Sequence, residues 1–173
     1  MIAAFWADRA VTRPARREQW LYRVVTLAGG YLLLGFRFRQ LFPSRRLWAL
    51  GPAGDWLMFV LVLGGFAFAW AARLYLGRLW SSSVTRKADH HIVDTGPYGI
   101  VRHPIYTGLL LSAFGTALQV GTARAVAGAL LFVLGFWIKA RLEERFLSEQ
   151  LGEAAYGDYR SRVPMLLPLG PRG

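Results

Sequence analysis

The 173-residue sequence predicts an all-α integral membrane protein, about four transmembrane helices with one polar end. Two observations carry that reading. The chain is 54% hydrophobic with a mean hydropathy of +0.31. Its 21 Lys and Arg, against 10 Asp and Glu, lie mostly between apolar blocks and not in one basic patch. Nucleic acid is excluded as a partner on that distribution, because a basic soluble domain would not separate its charges with lipid-length apolar runs. The chain also has no cysteine, which rules out disulfides, thiolate metal sites and a Cys nucleophile. The opening MIAAFWADRAVTRPARREQW lacks a continuous apolar core and reads as something other than a secretory signal.

Four apolar spans follow in order. The first, about Trp20 to Phe36, is short and contains Arg23. The second, Asp55 to about Leu76, is long and almost free of charge. The third, Ile105 to Val120, reaches roughly 24 Å at about 1.5 Å per residue, less than a bilayer core of about 30 Å. The fourth starts near Thr122 and keeps a helical pattern through Gln150, with Gly152 as its stop. Spans three and four are joined at Gly121, so they form a tight helical hairpin. Gly108, Ser112, Gly115, Ala125, Gly128, Ala129 and Gly135 are expected to let those two backbones approach closely. No internal repeat or linker divides the chain, which reads as one domain over 1–173, with N-terminal spans (20–76) and a polar-ended core (81–168).

With both termini on one side, sixteen of the 21 basic residues share that side, and positive-inside places it in the cytoplasm. The arginine-rich stretch 37–53 opposes this count. It is expected to lie flat in the interface, with Leu41, Phe42, Leu47 and Trp48 dipping into lipid.

The cytoplasmic side then gathers SSSVTRKADHHIVDTGPYGIVRHP, the KARLEER end of span four and the tail GEAAYGDYRSRVPMLLP. Singly, each has an ordinary explanation: Arg102 as a snorkelling anchor, Pro104 as a first-turn proline, Tyr98 and Tyr106 as interfacial aromatics. Lys139 and Glu143, four apart on one helix face where it leaves the bilayer, ask for more. Asp89, His90, His91 and Asp94 match no helical metal-binding pattern, and no metal is expected. GxSxG, P-loop and dinucleotide motifs are absent. What remains is a few polar residues against apolar walls, which suits a reaction whose co-substrate arrives activated and needs positioning.

The combination H-H-I-V-D-T-G-P-Y-x-x-V-R-H-P-I-Y-T-G, then R-L-E-E, then G-E-x-x-Y-x-x-Y-x-x-R-V-P-x-L-L-P resembles the isoprenylcysteine carboxyl methyltransferase family over about Ser81 to Pro168. The phospholipid N-methyltransferases are similar too. The resemblance implies a membrane enzyme using S-adenosyl-L-methionine, with a lipid or lipophilic small-molecule acceptor entering from the bilayer. The implied cofactor residues are His90, His91, Ile92, Val93, Tyr98, His103, Pro104, Ile105, Tyr106 and Glu143, with the adjacent Arg102 and Glu144 counted in. Lys139 stands where the carboxyl methyltransferases present an arginine toward the acceptor, and Arg141 is the neighbouring candidate. The helical repeat puts Lys139 on Glu143's face and Arg141 on another. The Gly-x-Gly of the phosphatidylethanolamine branch is absent. The alternatives are a phospholipid N-methyltransferase and, in another class, a non-catalytic membrane scaffold whose basic faces bind anionic lipid.

Overall fold

The computed structural model describes residues 10–12, 16–35, 45–77, 86–87 and 92–169. His90 and His91, together with Leu41 and Phe42, lie outside the described residues. Six helices carry the fold: α1 (Arg16–Leu34), α2 (Gly51–Leu76), α3 (Pro97–Ile100), α4 (Pro104–Val120), α5 (Ala123–Leu151) and α6 (Glu153–Arg162). Two short strands, β1 (Ala10–Thr12) and β2 (Arg86–Lys87), pair antiparallel, an addition to the purely helical expectation.

Local chemistry explains the boundaries. Pro52 and Pro104 occupy first turns, where the missing N–H costs nothing. Because Pro52 is accepted there, α2 begins at Gly51, four residues before the expected Asp55. Gly121 ends α4 in the left-handed region at φ 66°, and the Thr122 side chain then caps α5 by accepting the Ala125 N–H at 3.2 Å. Gly152, at φ 90°, stops α5 as its position in the sequence suggests.

Side by side, the long helices run α1, α5, α4, α2, each antiparallel to its neighbour. The sequence reading assigned the small residues to the α4–α5 hairpin; most serve other pairs. Gly108 and Ser112 of α4 meet Gly65 and Ala69 of α2, and the Ser112 hydroxyl donates to the Val62 carbonyl at 2.9 Å. Gly115 also faces α2, at Met58 and Val62. On α5, Gly128 meets Gly29 and Leu33 of α1, while Gly135 meets Thr26. Alanines join α4 to α5 instead, Ala113 and Ala117 against Ala125 and Ala129, with Leu33 completing the cluster. In lipid, such close backbone approach is the main source of helix affinity. A Cβ on Gly128 would sit 2.8 Å from the Gly29 carbonyl oxygen. Gly128→Ala should therefore cost about 1–3 kcal/mol through overpacking. Thermal unfolding in detergent reads this, and an unchanged Tm would show that α1 is free to shift.

α2 and α5 are long and apolar enough to cross a bilayer; α4 is apolar but has only 17 residues. Large apolar side chains point outward along the row, among them Trp56, Leu63, Phe66 and Trp70 on α2 and Leu130, Leu134 and Trp137 on α5. The apolar helices and their outward face mark a membrane protein. Only 22% of the best apolar window of α2 is buried against protein, as its place at the edge of the row requires.

At the end of the row away from KARLEER, Arg45–Leu50 is tied to the α4–α5 turn. The Leu47 N–H donates to the Gly121 carbonyl at 2.7 Å, and the Trp48 indole N–H to the Leu118 carbonyl at 2.8 Å. Leu47 is exposed, whereas the Trp48 ring nitrogen is held by protein. Arg124 is no loop charge: its guanidinium donates to the Leu32 carbonyl and satisfies the end of α1.

Candidate functional site

At the opposite end of the row, the start of α4 meets the second half of α5, and a strap from the tail crosses both. The strap forms where α6 ends at Arg162 and the extended Val163 carries Pro164 and the bends after it beside Arg102 and His103. Their N–H groups donate to the carbonyls of Pro164 (2.8 Å) and Met165 (3.1 Å), and the Thr107 hydroxyl donates to that of Leu166 (2.7 Å). These bonds tie the R-H-P-I-Y-T run to R-V-P-M-L-L, two motifs far apart in sequence.

Two carboxylates on successive residues of α5 face different surroundings. Glu143 lies under Tyr106, whose O–H is centred between its oxygens at 2.6 and 2.7 Å. Lys139 Nζ is 3.9 Å from Glu143 Oε1, and His103 Nδ1 is 3.6 Å from Oε2. The Glu143 side chain keeps 20% of its exposure. Glu144 is buried; its Oε1 receives the Arg102 Nε–H at 2.8 Å and lies 3.3 Å from His103 Nε2. An ionised carboxylate only accepts, so the imidazole is the donor in that shorter contact. Glu144 Oε2 is buried with no hydrogen-bond partner among the described residues.

Arg102 departs from its ordinary explanation. Its side chain is 7% exposed, so it does not snorkel to the interface. Besides Glu144 it donates to the carbonyls of Arg160 (3.0 Å) and Val163. It binds the end of α6 to α4 and α5, which buries the carboxylate beside His103.

Aromatic rings wall the site. His103 stacks on Tyr106 at 5.3 Å with planes 5° apart, and Tyr106 packs against Phe136 at 4.9 Å. Lys139 Nζ lies 4.9 Å from the Tyr106 ring centre and 5.7 Å from that of Tyr22 on α1, within cation–π range of both. Pro104 is fully buried, and Ile105 packs beside Tyr106, Leu110 and Phe136.

Further along, Tyr98 is buried and its O–H points to the Ala72 carbonyl at 3.4 Å. Its own carbonyl accepts the Tyr159 O–H at 2.8 Å. Burial pushes the phenols of Tyr98, Tyr156 and Tyr159 up, so each stays a neutral donor. Ile92 packs on the Tyr156, Tyr159 and Val163 cluster, and Val93 is half-buried beside it. The structure thus brings His103, Pro104, Ile105, Tyr106, Lys139 and Glu143 together, with Arg102 and Glu144 behind them. Tyr98 and Ile92 lie against α6 and Val163, with Val93 next in sequence to Ile92. Arg141 is on another face: it is exposed, lies over Trp137, and lines a cleft of about 450 Å³ with Glu144, Arg145 and Arg160.

Sequence reasoning missed Tyr22. An isolated tyrosine beside Arg23 in a weak span gives no signal, because its importance comes entirely from α5 packing onto α1.

Comparison with known proteins agrees with the motif reading and extends it. The family model described as Phospholipid methyltransferase matches residues 55–154. That range takes in α2 from Asp55 onward, which the motifs from Ser81 did not include, and stops before Tyr156. The protein-S-isoprenylcysteine O-methyltransferase of Schizosaccharomyces pombe is 35% identical over 107 residues, 58% of this chain and 44% of that protein. The cobalt-zinc-cadmium resistance protein CzcN of Cupriavidus metallidurans is 31% identical over 118 residues, 66% of this chain and 52% of its own. Methanethiol S-methyltransferase 2 of Bradyrhizobium diazoefficiens is 43% identical over 75 residues, 41% of this chain and 26% of that enzyme. The chain spans about half or less of the length of these curated relatives.

Proposed function

Since the chain belongs to the phospholipid methyltransferase family, we propose that it transfers a methyl group from S-adenosylmethionine to a lipophilic acceptor. The closest analogy is the carboxyl methylation of an isoprenylcysteine. The observation that carries this reading is the cluster at the mouth of α4, where Glu143, His103, Tyr106 and Lys139 meet within an apolar wall.

The residues present fit the donor. Bound S-adenosylmethionine supplies an electrophilic methyl group and a sulfonium leaving group, so no nucleophile is required of the protein. Glu143 retains exposure and acceptor capacity beyond its contacts with Tyr106 and Lys139, enough to receive an ammonium group. Tyr106, stacked on His103 and beside Lys139, and the buried Tyr98 would wall the donor's pocket. His90, His91, Ile92 and Val93 belong to the same proposed pocket, the first two by motif alone. Arg102 and Glu144 support it from behind. Lys139, beside Glu143, directs the acceptor's polar head. The apolar walls from Phe136 and Ile105 exclude water, which leaves alignment as the main contribution of the protein. In this reading all four long helices lie in the bilayer with the site facing the cytoplasm, following the basic-residue count.

A second reading, phospholipid N-methylation, is favoured by the description of the matching family model. Lys139 argues against it, because an ammonium at the acceptor position repels a cationic amine head.

The test is direct. The purified protein should bind S-adenosylhomocysteine, and ligand at about 100 times its Kd should stabilise it by about 2.7 kcal/mol in a thermal shift. Incubation of a whole lipid extract with the radiolabelled methyl donor should then yield one labelled lipophilic product. A folded protein with no thermal shift at saturating ligand would support the scaffold reading.

A further inference from the structure

The face of α5 that Lys139 and Glu143 do not use carries a pattern of its own. Leu130, Leu134 and Trp137 are exposed on it, and Arg141, Arg145 and Ser148 continue it toward the polar end. At about 100° per residue these positions fall within about 80° of arc, with Lys139 roughly opposite. Apolar surface gives way to cations between Trp137 and Arg141, at the depth where a bilayer changes character. A tryptophan at the edge of a span sits at the headgroup level, and each headgroup layer is about 5–8 Å thick. Arg141 is about 6 Å beyond Trp137 along the helix, and Arg145 about 12 Å. These cations are gathered in a cleft. Arg141 and Arg145 of α5 and Arg160 of α6 line a concavity of about 450 Å³, with Glu144 and Glu149 on its wall. Arg102 and His103 already answer the charge of Glu144. Arg145 meets Glu18 of α1 at 3.2 Å, but as a largely solvated pair that holds it loosely. The Arg141 guanidinium lies over the Trp137 ring at 5.7 Å, at the membrane edge of the cleft.

We propose that this cleft binds the phosphate of an anionic phospholipid, whose acyl chains lie along Leu130, Leu134 and Trp137. Guanidinium groups match phosphate oxygens in geometry as well as in charge. An anionic headgroup is preferred to a zwitterionic one, because the cation of the latter would be brought against three arginines. The lipid is not a methyl acceptor: the arginines face away from Lys139 and Glu143, so the proposal stands whether or not the chain transfers methyl groups. Its phosphate bridges α5 and α6, and α6 is the helix whose end Arg102 holds. Bilayer charge thereby steadies the strap across the site from outside, without entering it.

The full chain, delipidated in detergent, is titrated with dioleoylphosphatidylglycerol, dioleoylphosphatidylcholine or glycerol phosphate. Native mass spectrometry counts the bound lipid and the thermal shift gives its affinity. Phosphatidylglycerol should saturate at one tight site per chain and bind about tenfold tighter than phosphatidylcholine. Glycerol phosphate, which has the phosphate without the chains, should bind far more weakly. Arg141→Gln and Arg160→Gln should each weaken phosphatidylglycerol about tenfold, the weight of one hydrogen bond to a charged group. Both side chains are exposed, and Arg160 serves Arg102 through its backbone carbonyl, so neither change disturbs the fold. Arg162→Gln is the control: it removes the same charge two residues along α6, from a side chain paired with Asp158 and Asp94 outside the cleft, and should stay within twofold of wild type. Equal affinity for the two phospholipids in wild type overturns the proposal without recourse to any variant. So does wild-type affinity in Arg141→Gln and Arg160→Gln, and so does an equal loss in Arg162→Gln, which would mark a diffuse attraction to basic surface. Glycerol phosphate binding as tightly as phosphatidylglycerol would make this a soluble-phosphate site and overturn the assignment to lipid.

Discussion

Arg102→Ala should be the most destabilising single change at the polar end, by about 3–5 kcal/mol, the usual cost of breaking a buried ion pair from one side. The reason is what the guanidinium leaves behind. Glu144 would keep only the His103 contact at 3.3 Å, with one oxygen already unpartnered, and the Arg160 and Val163 carbonyls would each lose a donor. The strap from Pro164 to Leu166 would then depend on three hydrogen bonds to Arg102, His103 and Thr107. Thermal unfolding in detergent measures the loss. Arg102→Met combined with Glu144→Leu should recover most of it, since replacing both members of a buried pair with apolar groups is often neutral. If Arg102→Ala costs less than about 1 kcal/mol, the pair behaves like a solvated surface bridge.

Glu143→Gln should have the largest effect on the methyl donor, a loss of roughly 2–5 kcal/mol in affinity for S-adenosylhomocysteine, as expected when a desolvated charge partner is removed. Gln can still accept the Tyr106 O–H through its carbonyl oxygen, so the helix contact survives and the change isolates the charge. His103→Ala should also weaken binding, through loss of the ring stacked on Tyr106 and of the donor to Glu144. Titration calorimetry on the two variants separates the possibilities. Were Glu143 only the solvated partner of Lys139, the effect would be about 0.5 kcal/mol or less.

Helix ends and helix faces were legible because their signals are local. Pro104, Gly121, Thr122 and Gly152 each fix one backbone position, and the ends of α4 and α5 fall on them. The spacing of Lys139, Arg141 and Glu143 along one helix correctly put Arg141 on a different face. Partner choice was not legible. Gly128 and Gly108 announce a close approach but do not say to which helix, and complementary glycines occur on α1 and α2. The fate of Arg102 was hidden for a related reason. A snorkelling arginine and a buried one look alike until a carboxylate and two carbonyls are placed around it, and those come from residues 42 to 61 positions away. The same applies to Tyr22, whose ring meets Lys139 only after α1 docks.

The pairing of α1 with α5 sets an order of assembly. During synthesis α1 emerges first, yet the surfaces that receive Gly29, Thr26 and Tyr22 appear about a hundred residues later. α2 and α4 can dock as soon as α4 is made, since Gly65, Gly108 and Ser112 complete their contact without α5. α1, with Arg23 in its sequence and a large apolar face turned outward, has no docked partner until the last long helix is made. A nascent chain halted between α4 and α5 would therefore hold a formed α2–α4 pair beside an unclaimed α1, the form that membrane quality control would meet first. Slowing translation just after Val120 would lengthen that exposure, and speeding α5 would shorten it, with no change to any contact in the finished protein.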